Sequence, residues 1–99
     1  MLHIVNKSPL EKTSLDSCLA TAQPGAAVLL IEDGVYAATR GSAAEAKMRD
    51  AMGQLKVYVL KPDMEARGMA DRVMDGVTLV DYGGFVDLVT EHPNCQSWM

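Results

Sequence analysis

Two cysteines, Cys18 and Cys95, two histidines, His3 and His92, and the acid–glycine step Asp33-Gly34 are the residues whose types could carry chemistry. A thiolate at Cys18 can hold sulfur as a persulfide, which asks for a lowered pKa and some exposure. The same position, between Leu15 and Leu19, suits a small apolar filler on the buried stripe of a helix. Spacing alone favours the filler, because the start of that helix lies more than a turn away and its dipole gives the thiol little help. Cys95 sits in a polar tail with no cation near it in sequence and reads as an incidental thiol. The two cysteines lie far apart, in neither a metal-like nor a redox-like spacing. Asp33 is either a ligand-facing acid at the carboxyl edge of a sheet or plain turn chemistry. In the second, preferred reading Asp33 caps the following helix and Gly34 supplies a tight bend. His3, inside a short apolar run, reads as a hydrogen-bonded structural histidine, since no nucleophile stands near it. His3 and His92 lack metal-pair spacing and no third ligand is suggested, so neither a metal nor a cofactor is expected.

Other chemistries fall away by position. The loop Asn6–Leu10 after the first strand has no glycine, so it cannot cradle phosphates as a nucleotide loop does. A receiver-type phosphorylation site needs acids after the first strand and an Asp ending the third; Asn6-Lys7 and Lys61-Pro62 occupy those places. No serine lies in a nucleophile-elbow sequence. The formal net charge of -4, with basic residues scattered singly, argues against nucleic acid held through its phosphates. One Trp, three Tyr and one Phe are little material for stacking bases. No apolar run approaches the roughly 18 residues of a membrane helix. The start, Met1–Val5, lacks the build of a secretory signal and reads as a strand. Two free thiols fit an intracellular protein.

The elements that must position these residues centre on Ala26–Ile31. This nearly all-apolar run ends abruptly in Glu32-Asp33-Gly34, the pattern of a parallel strand covered on both faces. Leu2–Val5 is the first strand, closed by the turn cluster Asn6-Lys7-Ser8-Pro9. Thr13 and Asp16 stand at capping-box spacing before a helix to about Ala22, with Leu15, Cys18, Leu19 and Ala22 on one stripe. Val35–Thr39 reads as a turn or more of helix. Ser42 and Glu45 form a second capping-box pattern, for a helix through about Met52. Leu55–Leu60 is a strand, Pro62-Asp63 opens a short helix ending at Arg67-Gly68, and a helical piece follows at Ala70–Val73. Val77–Val80 is the fourth strand. A last helix carries Phe85, Leu88, Val89 and His92 on one face, and the tail allows a fifth edge strand. Strands alternating with helices through short loops predict one α/β domain over residues 1–99, a three-layer sandwich around a mostly parallel sheet of four to five strands.

The order and spacing of several short stretches resemble the DsrH/TusB family of sulfur-relay subunits. These are Met1-Leu2-His3 with Asn6-Lys7-Ser8-Pro9, then Glu32–Ala38, Lys56–Leu60, Ala66-Arg67-Gly68, Val80-Asp81-Tyr82 with Phe85-Val86, and Trp98. The resemblance implies a DsrE/DsrF-like sandwich within a cytoplasmic heterohexamer holding two copies each of three related chains. The partners would be DsrE/TusD-like and DsrF/TusC-like subunits, with the main sulfur-accepting cysteine on the former. Sulfur would arrive from a TusA-like carrier and leave on a DsrC/TusE-like carrier. Within the family, TusB-like members serve 2-thiouridine formation at the tRNA wobble position and generally lack a first-helix cysteine. DsrH-like members belong to the sulfur-oxidation pathway and carry one there. Ser14–Leu19 looks like the DsrH form, which turns Cys18 towards an auxiliary sulfur site. The resulting expectation is a mainly architectural DsrH-like subunit; the rivals are a TusB-like subunit and a stand-alone small-molecule domain or enzyme using the Asp33-Gly34 edge.

Overall fold

Short runs of apolar and β-branched residues form the inner strands, where most positions are covered, while the two edge strands are largely exposed. In β2 (Ala27–Leu30) all four residues are buried, the pattern of a central parallel strand. The computed structural model of the chain describes residues 1–8 and 13–98. Pro9 of the turn cluster and Met99 of the tail fall outside the described residues. In chain order the elements are β1 (Leu2–Val5), α1 (Ser14–Thr21), β2, a 3₁₀ segment (Glu32–Ala38), α2 (Glu45–Ala51), β3 (Lys56–Leu60), α3 (Lys61–Ala66), a 3₁₀ turn (Ala70–Arg72), β4 (Thr78–Val80), α4 (Tyr82–Glu91) and β5 (Cys95–Trp98).

The five strands make one sheet in the order β4-β3-β2-β1-β5, and every neighbouring pair is parallel. That order decides the layers. Crossovers are right-handed, so the direction of each step across the sheet sets the face on which its helix lands. The steps β1 to β2, β2 to β3 and β3 to β4 all run one way; α1, the 3₁₀ segment, α2 and α3 accordingly pack on one face, around Val5, Val28, Leu30, Val57 and Val59. The step from β4 to β5 runs back across three strands and places α4 on the opposite face, over Leu2, Ala27 and Leu29. The third layer of the sandwich is therefore this single helix of ten residues among the described residues.

Local chemistry departs from the sequence expectation at the caps. Thr13 makes no side-chain cap to α1; Asp16 reaches instead to Lys47 on α2, tying the two helices. The helix expected from Ser42 begins at Glu45 with Ala44 at its cap. The Glu45 carboxylate accepts the Gly41 N–H at 3.0 Å, while Ser42 and Glu45 close two tight turns onto Thr39 and Ser42 carbonyls. The backbone turn has replaced the box. The cap that does form is at α4, where Asp81 accepts the Gly84 N–H at 2.8 Å.

Candidate functional site

Cys18 lies on the inner side of α1 with no exposed surface, in one cluster with Val5, Leu15 and Val28. Burial pushes its thiol up to about 11, because no cation or dipole offsets the desolvated thiolate. Cys95 is exposed and sits on β5 in register with Leu2, so it points to the α4 face of the sheet.

His3 is 2% exposed. The Trp98 indole N–H donates to its Nδ1 at 3.1 Å, which makes Nδ1 the acceptor and places the ring proton on Nε2. Burial, helped by the positive N-terminus, lowers its pKa, so the ring is held neutral. The pair bridges the two strands β1 and β5, whose residues Val5 and Trp98 stand in register. His3 is a bonded structural histidine, as its place in an apolar strand predicts.

The Asp33-Gly34 edge is built differently from its expectation. Asp33 is inside the 3₁₀ segment, whose cap is Ile31, and it caps nothing. Its Oδ1 accepts two guanidinium N–H groups of Arg67, from Nε at 3.0 Å and Nη2 at 2.9 Å. Arg67 also donates to the Asp63 carbonyl at 3.2 Å. Asp63 in turn accepts the Glu32 N–H at 2.6 Å, holding Glu32 at φ 49°, a left-handed conformation that L-residues seldom adopt. Gly34 is needed for close approach rather than for a bend: a Cβ there would lie 2.3 Å from the Val5 carbonyl oxygen. Asp33, Arg67, Asp63 and Glu32 therefore brace the end of β2 against α3. The chains leaving β1, β2 and β3 all turn to the same face.

A cleft of about 430 Å³ opens beside this brace, lined by Asp33, Tyr36, Arg40, Ser42, Met69 and Arg72 among others. Its two walls are joined as a short antiparallel ladder, with Arg40 N–H to Arg72 carbonyl at 2.7 Å and Met74 N–H to Ala38 carbonyl at 2.9 Å. The Arg40 guanidinium donates to the Asp71 carbonyl at 2.6 Å. The lining offers the guanidiniums of Arg40 and Arg72, the hydroxyls of Ser8, Tyr36, Thr39 and Ser42, and the Asp33 carboxylate, which is held by Arg67. Among the described residues no group of three His, Cys, Asp or Glu is placed to hold a metal ion, and no helix is long and apolar enough to cross a membrane.

The structure thus separates the candidates. Cys18 and Asp33 do not meet, and Cys95 lies on the far face from both. Sequence reasoning treated Arg67 only as a helix end and missed its clamp on Asp33, because the two are brought together solely by the parallel order of β2 and β3. The expected face of Phe85, Leu88, Val89 and His92 on α4 is split: Leu88 is buried, whereas Val89 is exposed along with Tyr82 and Val86, whose spacing was the available signal for an outer stripe.

Comparison with known proteins supplies what geometry leaves open. The family model described as DsrH like protein matches residues 7–95. Protein TusB of Pectobacterium parmentieri is 40% identical over 99% of this chain and 100% of its own length. Protein TusB of Escherichia coli strain K12 is 36% identical over the same shares. Among solved structures, the ychN protein from E. coli superposes with a TM-score of 0.77 over 97% of each chain at 18% identity. A protein of unknown function from Methanobacterium thermoautotrophicum gives a TM-score of 0.71 at 20% identity, over 97% of this chain and 95% of that one. These last two are likenesses of fold.

Proposed function

The chain belongs to the DsrH-like family, and we propose that it acts as a TusB-type subunit of a sulfur relay that ends in 2-thiolation of the tRNA wobble uridine. The observation that carries this reading is end-to-end similarity, at 36–40% identity, to proteins named TusB. It moves the balance away from the sulfur-oxidation role suggested by the cysteine in Ser14–Leu19. In this reading the chain works beside DsrE/TusD-like and DsrF/TusC-like subunits in a 2:2:2 hexamer. Sulfur enters from a TusA-like carrier and leaves on a TusE-like one, and the accepting cysteine belongs to a partner. The chain's own contribution is architectural.

Cys18 fits that assignment as packing. A persulfide forms on a thiolate, and a fully buried thiol raised to about 11 is protonated at neutral pH. An auxiliary sulfur site there needs α1 to lift from the sheet first. The oxidation-pathway reading keeps one observation in its favour, the presence of that cysteine in the first helix.

The experiment is a deletion strain complemented with wild type or Cys18→Ala, with thiolated wobble uridine measured by mass spectrometry of tRNA digests. Deletion is expected to deplete the thiolated nucleoside, and both genes to restore it. Unchanged thiouridine in the deletion, together with blocked oxidation of stored sulfur, would overturn the reading. Failure of Cys18→Ala alone, with the variant folded, would return Cys18 to the sulfur path.

A further inference from the structure

Helix α4 is apolar well beyond the side it buries. Leu88 faces the sheet at 5% exposure, whereas Tyr82 and Val86 are more than 60% exposed and Val89 is 39% exposed. At 100° per residue, Tyr82, Val86 and Val89 form one stripe, and half-buried Phe85 joins it to Leu88. The apolar arc therefore runs from the core around one flank to the outer surface, while Asp87 and Glu91 hold the other flank. Among the described residues, the remaining large exposed apolar side chains are Met1 and Leu79. The exposed apolar surface is thus concentrated on one helix.

The chain segment that holds α4 is acidic too: Asp81 caps the helix and Asp87 and Glu91 lie on it, while Asp75 lies beside Arg49 and Lys56. Residues 1–72 balance nine Lys and Arg against nine Asp and Glu. Residues 73–99 carry Asp75, Asp81, Asp87 and Glu91 and no Lys or Arg, so the whole net charge of -4 arises at this end of the chain. The position of α4 adds a third fact. It is about 15 Å long and roughly 10 Å wide, set over a sheet whose five strands span about 19 Å, and Ile4, Ile31, Tyr58 and Val80 beside it stay half-buried.

An exposed apolar stripe with a charged rim marks a contact surface. Pairing two copies of this chain through the stripe would bring the carboxylates of both α4 helices, which carry no Lys or Arg of their own, to the edges of one seam, which disfavours a second copy. We propose that the outer face of α4 docks a different protein chain, one whose contact surface is an apolar patch rimmed by lysine and arginine. The inference rests on the relay reading above for the identity of that chain, and on α4 itself for the place and its chemistry.

The test uses the full chain co-expressed with the DsrE/TusD-like and DsrF/TusC-like chains of the same organism, with complex mass read by light scattering and affinity by titration. Val86→Glu is expected to weaken assembly by about tenfold or more, while circular dichroism of the lone chain stays unchanged because Val86 touches little of it. Asp87→Lys with Glu91→Lys is expected to weaken assembly as well, and added salt to weaken the wild-type complex. Wild-type assembly that Val86→Glu leaves intact would overturn the α4 surface and spare the relay reading. A wild-type homodimer broken by Val86→Glu would overturn the choice of a different chain as occupant. Wild-type chains that never associate would overturn the relay reading and this inference together.

Discussion

One face of the sheet carries α1, the 3₁₀ segment, α2 and α3, and buries sixteen apolar residues in a single cluster among the described residues. The other carries α4 and buries four. The strands present apolar residues to both faces, and the topology sets the helices apart: three crossovers step one way and one steps back. A right-handed parallel sheet of this order cannot cover its two sides equally with helices of this length. Stability is expected to reside in the crowded face and association in the sparse one. Each of the following substitutions tests whether that division holds.

The largest effect is expected at Gly34, where the chain leaving β2 presses on the backbone of β1. In Gly34→Ala the added carbon would meet the Val5 carbonyl oxygen at 2.3 Å and the Val5 carbonyl carbon at 3.0 Å, and neither belongs to a side chain that can rotate away. Relief requires β1 or the 3₁₀ segment to shift, which costs roughly 3 kcal/mol. Thermal unfolding followed by circular dichroism should show a fall of more than about 10 °C. A variant as stable as wild type would mean that the crowded face is looser than its packing implies.

Cys18 comes next, within the same cluster. Cys18→Ser places a hydroxyl among Val5, Leu15 and Val28 and is expected to cost about 2 kcal/mol, the penalty of an unpaired buried polar group. Alkali gives an independent reading of the same burial. The folded thiol titrates near 11 against an ordinary value of 9.0, so the folded state holds its proton when the unfolded state has lost it. The associated stability is complete below pH 9 and declines as pH rises towards 11. Urea midpoints measured from pH 8 to pH 10.5 should fall for wild type and fall less for Cys18→Ala. Equal declines in both proteins would mean that the thiol is not desolvated.

The architecture was legible in the sequence because it rests on run lengths and periods: Ala26–Ile31 marks a covered strand, and the stripe of Leu15, Cys18 and Leu19 marks a helix laid on a sheet. The fifth strand was visible only as an allowance, since Cys95–Trp98 has no apolar pattern and is held by pairing with β1 and by the Trp98–His3 bond. The caps were misread because Asp16 and Asp33 have ionic partners, Lys47 and Arg67, that no local pattern contains. The site was legible in a narrower sense. Residue types placed Cys18 on a buried stripe, but whether a thiol is reactive depends on desolvation, a property of the packed interior. The choice between the two branches of the family turned on one cysteine, and full-length similarity weighed against it.

The smallest effect is expected on the sparse face. Val86 is 61% exposed, so Val86→Ala removes two methyl groups that lie mostly in water already. Its transfer term is correspondingly slight, and Ala is the better helix former by a few tenths of a kcal/mol. The two contributions oppose each other, and the lone chain should unfold within about 0.5 kcal/mol of wild type. Chemical denaturation with matched slopes is the measurement. A loss above about 1 kcal/mol would mean that the outer stripe of α4 is folded against this chain's own surface, and the contrast between a face that stabilises and a face that associates would then fail at the helix on which it depends.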